Sequence, residues 1–203
     1  RERVAGSNES VPWRLVGAVD GTLLTDDPAA PAGAPSTLKL GQVVELDSPG
    51  PFVVSSQDDK HPFYFAAHMT GGGAGTTLGD PETVNLVAPA QFLQRYVFFT
   101  DPTYGYTDLV VVRPKSGAKD VTLDCAGALT GWQPVGARYE YTRVDVQWSG
   151  AAVGGCDNGR HQMTSAAPFG VTVWGFDQAV SYAYPAGASV RPINAVVVPT
   201  QLQ

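Results

Sequence analysis

Apolar and polar residues in this chain alternate with a period of two far more often than with the period of a helix. Over residues 38–47, Leu38, Leu40, Val44 and Leu46 share one face with Gln42, whereas Lys39, Glu45 and Asp47 share the other with Val43. Successive side chains of a strand point to opposite faces, so this spacing predicts a half-buried antiparallel strand. Val121, Leu123 and Cys125 against Asp120, Thr122 and Asp124 predict another. Over residues 139–148 the apolar set moves from odd to even positions near Thr142, which predicts a β-bulge there. Runs that are apolar on both faces, at 97–99, 109–112 and 195–198, predict central strands covered on two sides, as a two-layer sandwich provides. No dozen residues hold a 3.6-residue period, and the best helical segment, 89–95, makes a turn or two. The reading is all-β.

The same pattern is written twice. Trp13-Arg14-Leu15-Val16-Gly17-Ala18 is answered about 94 positions later by Thr107-Asp108-Leu109-Val110-Val111-Val112. Gly50-Pro51-Phe52-Val53-Val54-Ser55 is answered by Ala167-Pro168-Phe169-Gly170-Val171-Thr172, and the aromatic run 63–68 by 180–184. The spacing therefore predicts two tandem antiparallel β-sandwich repeats, residues 1–94 and 95–203. No flexible spacer stands at Gln94 and Arg95, so the modules are expected to abut, with a groove between them suited to a ligand.

Charge narrows the partners. A formal net charge of -6 with four lysines supplies no concentrated basic surface, which argues against nucleic acid and anionic membranes. No stretch approaches the ~18 consecutive apolar residues of a spanning helix, and no signal-peptide pattern stands at Arg1. The chain reads as a soluble piece of something longer. Cys125 and Cys156 enclose about 31 residues of the second copy. A disulfide there would remove roughly 3 to 4 kcal/mol of unfolded-chain entropy. Two free thiols are the alternative, but Cys125 ends a strand and Cys156 sits in a Gly-rich turn, where a staple is the more useful.

Candidate chemistry is sparse. His61 follows Asp58-Asp59-Lys60, a loop in which carboxylates and an imidazole can meet a ligand, a cation or each other. His68 and His161 read as structural. No Gly-x-Ser-x-Gly elbow is present, and the glycine run 71–75 lacks the Lys-Ser/Thr of a phosphate cradle. Calcium is the ion that the loops holding Asp80, Glu82 and Asp101 would take, since they combine carboxylates with carbonyls held by proline. Turn formation by Asp before Pro is the plainer account of them. No other cofactor is expected. Tyr104, Tyr106 and Trp132 stand in turns, where exposed rings stack on sugars or anchor protein partners. Trp13, Trp148 and Trp174 lie in strands and read as packing residues, and Asn8-Glu9-Ser10 fits the glycosylation pattern without deciding anything.

Several motifs resemble one family. Pro62-Phe63-Tyr64-Phe65-Ala66-Ala67-His68-Met69-Thr70-Gly71, Tyr96-Val97-Phe98-Phe99-Thr100-Asp101-Pro102 and, above all, residues 168–176 and 180–187 look like the IgGFc-binding protein N-terminal domain family, over nearly the whole chain. Composition adds a weak pointer to a bacterial source. The resemblance implies an extracellular or cell-surface adhesion or matrix module, with no catalytic motif to carry over and no antibody site implied. The expectation is a non-enzymatic module that recognises a glycan or protein ligand. Two rivals stand beside it: a self-associating subunit of an extracellular fibre, and an atypical hydrolase around Asp58, Asp59 and His61.

Overall fold

A computed structural model describes residues 9–70 and 77–196; Asn8, the glycine run 71–75 and residues 197–203 lie outside them. The chain is all-β and antiparallel throughout. Its first half holds β1 (Val11–Gly17), β2 (Thr22–Asp27), β3 (Thr37–Leu38), β4 (Val43–Ser48), β5 (Val53–Ser56), β6 (Phe63–Met69) and β7 (Glu82–Asn85). These form two sheets, ordered β4-β1-β6-β7 and β3-β2-β5. A single 3-10 turn, Pro89–Gln91, stands where the sequence offered a helix. The second half holds β8 (Leu93–Phe99), β9 (Tyr106–Pro114), β10 (Val121–Leu123), β11 (Gly127–Ala128) and β12 (Gln133–Val135). It continues with β13 (Tyr139–Trp148), β14 (Ala151–Ala152), β15 (Arg160–Asp177) and β16 (Val180–Pro185).

β15 belongs to two layers. Over 160–164 it pairs with β8, and over 163–165 with β10; from Gly170 onward it pairs with β9 and then β16. A register shift between Thr164 and Phe169 lets it turn from one layer into the other. One layer is thus ordered β11-β10-β15-β8 and the other β13-β9-β15-β16. The two halves share this strand order. β4-β1-β6-β7 matches β13-β9-β15-β16, and β3-β2-β5 matches β11-β10-β15, with β8 as an additional strand beyond β15 and β12 and β14 as additional strands beside β13. Sheet position therefore matches β6 to the second part of β15 and β7 to β16, one element away from the pairing of 63–68 with 180–184 that motif similarity suggests.

The cores follow from the alternation. In the second half, Leu109 and Val111 of β9 meet Val121 and Leu123 of β10, Met163 and Val173 of β15 and Val146 of β13, all fully buried. Full burial of each such side chain contributes about 1.5–3 kcal/mol. Cys125 and Cys156 are disulfide-bonded with Cα atoms 5.0 Å apart, and Cys156 joins this core. In the first half Leu15, Leu38 and Leu46 form the buried cluster, with Ala66, Ala67 and Val84 also buried; Trp13, Phe52, Phe63 and Phe65 pack against the cluster half-buried.

Four local expectations are corrected. The strand expected over 38–47 is split by a turn: Gly41 adopts φ 71°, its N–H donates to Gly17 O at 2.8 Å, and Leu40 is left exposed. Residues 97–99 are not central, because among the described residues β8 pairs with β15 alone and Val97 and Phe99 are 51% and 57% exposed. No shift occurs at Thr142; the irregularity falls between Asp145 and Gln147. The apolar residues on the odd positions of β13, Tyr139 and Tyr141, are there because that face too is covered. Ala195 and Val196 lie outside any strand.

Candidate functional site

A cleft of about 830 Å³ runs between the two halves. One wall is aromatic: Trp13 of β1, Phe63 and Phe65 of β6, and Phe52 just before β5. Trp13 and Phe65 stack with ring centroids 5.3 Å apart, and Phe52 meets Trp13 edge-on at 5.2 Å. The other wall is the outer face of the β13-β9-β15 layer. Strand register sets Tyr141, Val112 and Gly170 in one row and Arg143, Val110 and Thr172 in the next. Trp174 follows beside Asp108. Gly170 is required here, since a Cβ would lie 2.4 Å from the Phe92 ring. Volume and lining both fit a pocket of the size that takes small molecules or a few residues of a partner.

Hydrogen bonds of backbone and side chains hold the halves across this cleft. Gly79 N–H donates to Asp177 O at 2.7 Å and Ala179 N–H to Thr77 O at 2.8 Å, bracketing a bridge between Leu78 and Gln178. The Ser181 hydroxyl donates to Asp80 O at 2.9 Å, and Ala137 N–H donates to Asp27 Oδ2 at 2.6 Å. Four anchors between residues some 100 positions apart fix the width of the groove.

The residues singled out in the sequence fall into separate groups. Tyr104 packs edge-on against Tyr182, Tyr106 stacks on Phe176 at 5.1 Å, and Trp132 lies under the Arg113 guanidinium at 3.8 Å while donating to Leu129 O. His61 Nδ1 stands 2.6 Å from Asp58 Oδ1, and that hydrogen bond holds the Asp58 carboxyl below its ordinary range. Asp101, Asp80 and Glu82, with Asp177, act on Tyr104 by charge. Burial first, then their charges, raise its phenol above the ordinary tyrosine value. The Asp101 carboxylate accepts from the Thr103 hydroxyl at 2.7 Å and N–H at 2.8 Å, which lowers its own value. Among the described residues, the metal-capable side chains with donor atoms within 4.8 Å of one another are Asp124, Cys125 and His161, and the sulfur is committed to the disulfide. His161 is buried, with Nε2 2.9 Å from Asp157 O and Nδ1 3.2 Å from Asp124 Oδ1.

Sequence reasoning passed over the cleft walls, treating Trp13 and Trp174 as packing residues only. The available signal was the apolar character of both faces at 109–112 together with aromatic odd positions in β13. The model of the family described as IgGFc binding protein matches residues 1–175. The chain belongs to that family. Comparison with curated proteins and with solved structures returns no match. For the IgGFc binding protein family, then, this chain offers a two-half β architecture with a disulfide in the second half and an aromatic groove between the halves. That arrangement suits a binding module.

Proposed function

We propose that the chain is a non-enzymatic module of an extracellular protein, built of two tandem repeats, and that it recognises a protein ligand in the cleft between them. The cleft carries the reading: both repeats contribute walls, and half-buried aromatic rings are the side chains that most often dominate binding energy. Family membership and the disulfide support an extracellular protein-binding role. The test is a panel of serum and matrix proteins, immunoglobulin Fc included, beside a glycan array. Binding to a protein on the panel is expected, weakened at least about tenfold by Val110→Arg, which fills the groove, and kept by Tyr64→Ala on a face outside it. Silence on the protein panel, or equal binding by Val110→Arg, overturns the reading, and a glycan hit replaces the ligand class.

A fibre subunit is the second reading, favoured by one observation. Val97 and Phe99 project side by side from an edge strand at 51% and 57% exposure. Filaments under negative stain that vanish in Phe99→Lys would support it; a monodisperse monomer at high concentration would retire it.

A further inference from the structure

The two halves share a strand order to which the second half adds β12 and β14 beside β13 and β8 beside β15, and the last of these additions bears on the cleft. In the second half, β15 has partners on both edges within 160–165, β8 over 160–164 and β10 over 163–165. Its counterpart β5 is paired by β2 alone, and among the described residues no strand lies on its other edge. The cores record the difference. Tyr96 and Phe98 of β8 turn inward, Tyr96 meets Phe169 at 5.0 Å, and the residues beneath are sealed. In the first half no described strand occupies that place; beyond the C-terminal end of β5 Ala195 N–H donates to Asp59 O at 2.9 Å and Ile193 and Asn194 join the cleft lining, while Phe52, Phe65 and Trp13 remain half-buried on the cleft wall beside β5.

We infer that the free edge of β5 accepts one extended polypeptide strand from the protein ligand, antiparallel, with alternate apolar side chains entering the cleft against Trp13, Phe52 and Phe65. The inference rests on the cleft reading above and names how the ligand is held. Main-chain hydrogen bonds to an open edge supply affinity, and pockets for alternate side chains supply selectivity. Charge sets the polarity. An antiparallel newcomer begins beside the C-terminal end of β5, where Asp58 and Asp59 stand. A lysine or arginine near the start of the ligand segment meets them, at the position Arg95 holds in β8 opposite Thr164. The inferred occupant is therefore a segment of alternating aromatic or aliphatic residues led by a basic one.

The chain supplies its own probe: a labelled peptide with the sequence of residues 93–100 and a lysine at each end, titrated against the whole protein. Saturable one-to-one binding is expected, weakened at least about tenfold by Phe52→Ala or by Asp58→Asn with Asp59→Asn. Hydrogen exchange should slow at residues 53–56. A readout independent of protein folding comes from N-methylating alternate amides of the peptide. The series that blocks one edge abolishes binding, and the series that blocks the other preserves it. Equal binding by both series overturns strand addition, as does protection at 160–165 alone, which marks exchange with β8. A ligand found on the protein panel that protects the cleft walls and leaves 53–56 unchanged retires the strand and keeps the cleft; one that protects neither retires both.

Discussion

The carboxylate of Asp27, in the first half, accepts a hydrogen bond from the backbone N–H of Ala137, in the second, at 2.6 Å. The approach depends on the residue between them in space. Gly136 adopts φ 60°, and a Cβ there would lie 2.3 Å from Asp27 Oδ2. Gly136→Ala is expected to cost roughly 2–4 kcal/mol, from left-handed backbone and collision together. Adding Asp27→Ala should return the collision part, so that the double variant is more stable than the sum of the single effects. Urea denaturation of the four proteins measures the coupling.

The second half carries the only covalent staple among the described residues. Replacing Cys125 and Cys156 together by serine is expected to lower stability by roughly 2–4 kcal/mol, the entropy that a loop of that length regains in the unfolded chain. Because Cys156 also lies within the core, alanine at that position should do less harm than serine. Non-reducing denaturation curves compare the variants.

His68 gives the fold a pH dependence with a definite sign. Burial, and next the Arg14 charge, lower its folded value below the ordinary 6.5, with Glu45 acting the other way. Above about 6.5 the imidazole is neutral in both states. As pH falls below that, the unfolded chain takes up a proton that the folded chain resists, and stability is lost down to the folded value. Melting temperature should therefore decline from pH 7 toward pH 5. In His68→Gln, which keeps a partner for the Thr83 hydroxyl, the decline should be shallower.

Tyr184 closes the outer edge of β8. Its hydroxyl donates to Phe99 O and accepts from Phe99 N–H, while the Tyr182 hydroxyl accepts from Asp101 N–H at 3.0 Å. Tyr184→Phe should cost about 1 kcal/mol. It should also open an edge that already bears Val97 and Phe99, so sedimentation velocity is expected to show association absent from the unaltered protein.

How much of this was legible depends on how local each feature is. The alternation at 121–125 and the two-faced run at 109–112 carry their strands outright, because period and burial agree there. The same two-faced pattern at 97–99 misled: Tyr96 and Phe98 face the core, while Val97 and Phe99 face solvent at an edge. In β13, Tyr139 and Tyr141 looked like the start of a slipped register and are instead a second covered face. A groove between abutting halves was expected, but the residues of its walls, Trp13 and Phe52 on one side and Val110 and Trp174 on the other, were out of reach because they come together only after both halves have folded and docked.

β15 has a mechanical consequence. Its eighteen residues, with the register shift between Thr164 and Phe169 at the middle, are gripped by β8 and β10 at one end and by β9 and β16 at the other. A pull along its axis loads both ladders in shear at once, so the hydrogen bonds share the force and do not unzip one by one. A module anchored at a surface and tugged through its ligand would yield first in the short strands of the other half, where β3 has two residues and β5 has four.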